Sequence, residues 1–451
     1  MQETTVSFKT VGCRLNQAET ARLRAVFQAA GYRIVPFGAA CKVCVIHGCA
    51  VTAKAEQNSA RLARGAKRQT GAFVVLAGCP VSAGGLAGRA GDAADLLVGQ
   101  ADKFRLPALL AEHGFPSAVS GSPRAANGAT PTLPLFDTTR AIVKIQDGCD
   151  FHCAYCIVPR ARGPAWSRPF DEIIGEINGL VQAGYREIVL TGANIGCYAD
   201  QGRKLACLLR RIEAVPALER IRLSSIEVST VEREVIDCMA ASRKLCRCLH
   251  LPMQSGSDPV LCAMRRRYAI REYGAVVAYA VSRVEGIGVG TDVLVGFPGE
   301  RAADFDATEA MIAQGPFSNV HVFAYSLRPG TPAAVMEAQV PDSEKRRRGS
   351  RLLALAREKR MAFARRWVGR EVAVLVEAVN AAGVATGWTG EYLPARIIPP
   401  SAKADGDLPV VLRPALQAGP RARAVPVRNR VIRFVPRSVE GDTLIGDQPI
   451  G

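Results

Sequence analysis

From Thr5 to Tyr325 the chain alternates short apolar runs with amphipathic helical stretches, and that alternation confines it to the α/β class. TVSFKTV (5–11), VCVIH (43–47), AFVVLA (72–77) and ADLLVG (94–99) read as strands. Helices are predicted over Gln17–Ala30, Glu56–Gln69 and Lys103–His113. Strands joined through helices must run parallel, because a helical crossover returns the chain in the same direction. The first part is therefore expected to be a doubly wound parallel sheet. Gly, Pro, Ser and Ala dominate 114–134, which reads as a linker. The alternation then resumes in AIVKIQ (141–146), EIVLTG (187–192), RIRLSS (220–225), CLHLPM (248–253), TDVLVG (291–296) and VHVFAY (320–325). Six βα units predict a partial (β/α)6 barrel, with its chemistry at the C-terminal strand ends. A basic helical segment spans Lys345 to Arg370. Glu371 to Pro436 is Val-rich and broken by Gly and Pro, as in a small all-β barrel. The expected boundaries are 1–113, a linker at 114–134, 135–366, 367–437 and a tail at 438–451.

Charge and cysteine usage narrow the partners. The 451 residues carry 58 Lys and Arg against 41 Asp and Glu, a formal charge of +17, which favours a polyanionic partner. No apolar run approaches the roughly 20 residues of a membrane-spanning helix. The start, MQETTVSFKTVGC, lacks the features of a secretory signal, so the expected location is the cytoplasm. Thiols stay reduced there, and the 14 Cys are better read as ligands or core residues than as disulfides.

The most specific motif is Cys149-Asp-Phe-His-Cys153-Ala-Tyr-Cys156, directly after the first barrel strand. Three thiolates on one compact loop suit a [4Fe–4S] cluster that leaves one iron without a protein ligand. Such an iron can bind the amino and carboxylate groups of S-adenosylmethionine (SAM) and pass an electron into its sulfonium. A zinc site using His152 would need a fourth ligand at regular spacing, and none follows. Cys13, Cys49 and Cys79 each follow a predicted strand of the first sheet, in VGCRLN, HGCAVT and AGCPVS. Parallel strands would bring these loops to one sheet edge, where three thiols suit a second cluster. Three unrelated buried cysteines remain an equal reading at this point. Cys41 and Cys44 with Cys49 offer a local C-x2-C-x4-C site, but Cys44 lies inside an apolar strand and reads as core. Cys197, Cys207, Cys238, Cys246, Cys248 and Cys262 show no ligand spacing. Gly286-Ile-Gly-Val-Gly290 precedes its strand and so fails as a dinucleotide loop. Thr191, Gly192, Ser225 and Gln254 end barrel strands and are the candidate contacts to SAM or substrate.

Together these residues resemble the methylthiotransferase family of radical SAM enzymes, over nearly the whole chain. IQDGCDFHCAYCIVPRARG, LTGANIG, HLPMQSGSD, VGFPGE and AYSLRPGTPAA carry the likeness in order. The resemblance implies an auxiliary [4Fe–4S] cluster on Cys13, Cys49 and Cys79, a SAM-binding one on Cys149, Cys153 and Cys156, and a C-terminal TRAM domain. It also implies two uses of SAM: one molecule methylates a sulfur at the auxiliary cluster, and another yields the radical that opens adenine C2–H. An electron donor and a sulfur source are required and unidentified. TVGCRLNQAET is similar to the branch acting on N6-threonylcarbamoyladenosine at position 37, beside the tRNA anticodon. The alternatives are isopentenyladenosine in tRNA, a ribosomal-protein aspartate, or a non-catalytic RNA-binding iron–sulfur protein. His47-Gly48 departs from the family's usual Asn followed by Ser or Thr, and the final domain matches little beyond GWTGEYL (387–393).

Overall fold

The computed structural model describes residues 3–84, 93–117, 133–398, 428–447 and 449–450. Most of the linker reading at 114–134 falls outside these residues.

The first sheet has five parallel strands: β1 (Thr5–Thr10), β2 (Arg33–Val35), β3 (Val43–Gly48), β4 (Phe73–Gly78) and β5 (Leu96–Val98), in the order β2-β1-β3-β4-β5. Every residue of β3 is buried, which is why its sequence is a continuous apolar run. Val43 and Val45 pack with Leu23 and Phe27 of helix α1 (Arg14–Ala29), whereas Cys44 and Ile46 pack with Ala60, Ala63 and Ala66 of helix α2 (Ala53–Thr70). The sheet is thus covered on both faces. Lys103–His113 begins as a 3-10 turn at Lys103–Arg105 and becomes helical over Leu106–Glu112.

Six further parallel strands form the second unit: β6 (Arg140–Lys144), β7 (Glu187–Thr191), β8 (Arg220–Leu223), β9 (Cys248–His250), β10 (Gly288–Val295) and β11 (Phe317–Ala324). They pair as β8-β7-β6 and β9-β10-β11, and the Ile221–Leu245 bridge joins the halves into an open barrel. Ala141, Val143, Ile188, Leu190, Val289, Val293 and Val320 face the surrounding helices in one large core. The alternate residues face inward. Ala18 of α1 packs against two of these, Ile142 and Val189, so the first unit covers the inner face of β6 and β7.

The long helix Asp342–Arg365 leads to a curled seven-stranded sheet, a half-barrel. Its strands are Val372–Val379, Ala385–Thr389, Pro394–Ile397, Val431–Phe434, Ser438–Glu440, Thr443–Gly446 and Pro449–Ile450. Sequence reading left 438–451 as a tail. Instead, Ser438–Glu440 and Thr443–Gly446 pair with each other, and Thr443–Gly446 closes on Pro394–Ile397. The basic segment lies largely within the helix Asp342–Arg365. Arg348 is buried on Glu300 (2.5 Å), Arg351 pairs with Glu309 and Arg360 with Asp442, so these cations staple the helix to its neighbours. Arg346, Arg357, Arg365 and Arg366 stay exposed.

Candidate functional site

The first cysteine loop leaves the end of β6. Gly148 takes φ +68°, and a Cβ there would lie 1.9 Å from the Pro164 carbonyl oxygen, so only glycine lets the loop turn back on itself. Phe151 N–H donates to Cys149 Sγ (3.4 Å), and Ala154 N–H donates to the Met264 carbonyl (2.9 Å), anchoring the loop across the barrel mouth. Burial pushes the Cys156 thiol up to about 12, and the neighbouring Cys153 and Cys149 push it further in the same direction. Arg266 supplies the counter-charge: its Nη1 donates to Cys153 Sγ (3.2 Å), and its other nitrogen pairs with Glu227.

The second trio is assembled by topology. β1, β3 and β4 lie side by side in parallel, so Cys13, Cys49 and Cys79 emerge at one sheet edge. Gly12 (φ +110°) sits so close to its neighbour loop that a Cβ would lie 2.4 Å from Cys49 Cβ. Asn16 laces the loops together, its amide nitrogen donating to the carbonyls of Val11 (2.9 Å) and Gly48 (2.7 Å). Cys13 occupies the N-cap of α1. Burial raises the Cys79 thiol to about 11, and Cys13 and Cys49 add to the rise, which places the three sulfurs in one electrostatic neighbourhood. Cys44 packs with the alanines of α2, as core.

Among the described residues, His250, Asp292 and His321 bring three ligand atoms within 4.8 Å of one another. Three soft thiol donors in each cysteine set suit a polynuclear cluster, which spreads its ligands over separate irons. Cys49, Cys79, Cys149 and Cys156, whose thiols burial raises, would shed their protons on loading.

Beside the second trio lies a buried charge hub. Glu19 accepts from Lys103 (2.7 Å), Lys144 (3.1 Å) and Arg162 (3.2 Å), and Arg162 also donates to Asp147 (2.9 Å). Burial opposes the Glu19 charge, yet Lys103, Arg162, Lys144 and His47 hold its carboxyl well below the usual range. Burial also lowers the His47 imidazole to about 3 against the pull of Glu19. His47 Nδ1 meets the Thr20 hydroxyl at 2.9 Å.

The sequence-predicted rim residues sit above the same barrel mouth. Thr191 is buried, and Gly192 presses on Gln146, where a Cβ would meet Gln146 Oε1 at 2.8 Å. Ser225 is exposed after β8. Gln254 adopts φ +66° and bridges to Val293 of β10. Arg162, Arg266, Glu227 and Glu19 were not singled out as functional. Arg266 sits within the run Arg265–Arg267 and Glu19 within the polar stretch Asn16–Thr20, so neither stands out locally.

Residues 5–99 match the Uncharacterized protein family UPF0004, and residues 143–312 match the Radical SAM superfamily. The chain is 36% identical over 398 residues to the threonylcarbamoyladenosine tRNA methylthiotransferase MtaB of Thermotoga maritima, covering 86% of this chain and 90% of that protein. The enzyme of the same name from Bacillus subtilis is 36% identical over 382 residues, covering 83% of this chain and 85% of its own length. The tRNA-2-methylthio-N(6)-dimethylallyladenosine synthase of Sphingopyxis alaskensis is 34% identical over 384 residues, covering 83% and 86%. Among solved structures, the radical SAM methyltransferase TsrM from Kitasatospora setae has a similar fold, with a TM-score of 0.55 at 16% identity over 74% of each chain.

Proposed function

Since the chain belongs to the radical SAM methylthiotransferases, we propose that it places a methylthio group on C2 of N6-threonylcarbamoyladenosine beside the tRNA anticodon. The observation that carries the reading is the bonding of Arg162, in the segment after the Cys149 trio, to Glu19 and to Asn16 beside Cys13. The carbon to be modified has no acidic proton and no leaving group. Two [4Fe–4S] clusters and SAM supply what side chains cannot: a carbon-centred radical to open C2–H, and a sulfur to fill it.

The chain's own residues hold and separate these reagents. Cys149, Cys153 and Cys156 are the ligands at the barrel mouth, and Cys13, Cys49 and Cys79 those at the sheet edge. Arg266 offsets anionic sulfur at Cys153, which favours electron uptake there. Thr191, Gly192, Ser225 and Gln254 contact SAM from the rim. The hub's cations outnumber its carboxylates, which stabilises the anionic sulfur of the second site. The chain's positive charge draws tRNA. No described helix is long and apolar enough to cross a membrane, and we place the reaction in the cytoplasm with its substrate.

Separable clusters are the test. Anaerobically purified Cys49→Ala should keep part of the parent's iron, release 5′-deoxyadenosine from SAM and make no methylthio product. Cys149→Ala should release none. Equal iron in Cys49→Ala and parent would remove the second cluster. Nucleoside mass spectrometry of tRNA from cells lacking the protein should show loss of the methylthio form of threonylcarbamoyladenosine. An unchanged profile would overturn the substrate.

A further inference from the structure

One group in the barrel interior has no part in the scheme above. Val289, Val293 and Val295 of β10 face the helix layer, so Asp292, out of phase with them, faces the lumen. His321 of β11 is its direct cross-strand partner, and His250 ends β9 on the other side. Both imidazoles meet the same carboxylate oxygen: His250 Nε2 lies 3.0 Å and His321 Nδ1 3.1 Å from Asp292 Oδ1. The site is open, with the side chain of His321 46% exposed and Phe323 44% exposed beside it. α1 covers the inner face of β6 and β7.

The three ligand atoms approach closely enough for a metal ion, but the next bonds out argue against one. Arg360 Nη1 donates to Asn319 Oδ1 (3.2 Å), which turns the Asn319 amide nitrogen toward His321 Nε2 at 2.7 Å. That Nε2 must then accept, so Nδ1 carries the ring proton and donates to Asp292. A metal would need the lone pair at Nδ1 and a proton at Nε2, facing the Asn319 N–H. What remains is a carboxylate clamped by two donors on Oδ1. Its Oδ2 has no partner among the described residues.

We propose that Asp292, oriented by His250 and His321, accepts hydrogen bonds from the N6 substituent of the target adenosine and so determines substrate choice. The proposal rests on the threonylcarbamoyl reading. In adenine, C2 and the carbon bearing N6 both flank N1, so a base presenting C2 to the thiol trios brings its N6 group into the same lumen. A threonylcarbamoyl group offers ureido N–H and hydroxyl donors, whereas an isopentenyl group offers no polar donor beyond the N6–H itself. Asp292, its side chain 22% exposed, favours a substituent that donates to it over one that cannot.

The test compares tRNA bearing threonylcarbamoyladenosine, isopentenyladenosine or plain adenosine at the target position. Variants Asp292→Asn and His321→Phe are scored once their cluster iron equals the parent's. The preference of kcat/KM for the threonylcarbamoyl tRNA over plain tRNA should shrink roughly ten- to hundredfold in Asp292→Asn. His321→Gln, which can still donate to Asp292, should recover part of the loss in His321→Phe. A preference within about twofold of the parent's in both Asp292→Asn and His321→Phe would overturn the assignment. So would zinc or manganese bound one per chain in the parent and lost in His321→Phe. A parent that acts on isopentenyl tRNA alone overturns the substrate reading itself, and shows this before any variant is made.

Discussion

Arg162 Nη2 donates to Asn16 Oδ1 across 2.6 Å, tying the segment after the Cys149 trio to the loop that carries Cys13. The same guanidinium meets Glu19 and Asp147, with its side chain 4% exposed. Removing one partner from such a buried set strands the charges left behind. Arg162→Ala should therefore destabilise the protein by about 3–5 kcal/mol. Its iron should fall, because the loop of Cys13 loses its brace. Denaturant titration and iron analysis check both, and Arg162→Lys, with the charge but no fork, should fall between.

Gly12→Ala probes the second trio more locally. The added methyl would occupy the space of Cys49 Cβ, 2.4 Å away, in a backbone conformation that side chains avoid. The variant should lose iron from the sheet-edge site while still cleaving SAM to 5′-deoxyadenosine. Full iron content would mean that the two loops need not touch.

What the sequence made legible follows from range. The parallel sheet and the barrel could be read because buried strands leave apolar runs that stand out locally. β2 was missed because Arg-Ile-Val is too short for a pattern, and the strands after 437 because they are short and mixed in polarity. The Cys149 trio is a local motif. The Cys13 trio could be read only through the sheet, whose parallel order brings remote turns together. The hub has no local signature at all: Arg162 is 146 positions from Asn16 and 143 from Glu19. The His250–Asp292–His321 wall was hidden for the same reason, since alternation places side chains inward without saying which neighbours they meet.

His47 makes acid stability a readout of the hub. Burial lowers its imidazole to about 3, whereas the unfolded chain titrates near the ordinary value of about 6.5. Between these values the unfolded state binds the extra proton, so stability rises with pH across the window and is lost on acidification. His47→Asn deletes this contribution. Its melting temperature should drop less than the parent's when the pH is lowered from about 7 to about 5. Parallel curves in anaerobic calorimetry would place the proton elsewhere.

The basic helix Asp342–Arg365 should divide by function along its surface. Arg348 has its side chain 6% exposed and bonds Glu300, whose side chain is 1% exposed, so Arg348→Ala should cost about 3–5 kcal/mol. The loss of tRNA binding should be no more than the unfolded fraction explains. Arg357 and Arg365 stand exposed on the same helix. A cation that neutralises a phosphate releases counterions, so each alanine substitution there should weaken tRNA binding and reduce the slope of log K against log salt by about 1. Stability should change by less than about 0.5 kcal/mol. Filter binding across a salt series separates the two classes. An unaltered slope in Arg357→Ala and Arg365→Ala would move the tRNA path off this helix, because affinity that ignores salt is not carried by phosphate contacts.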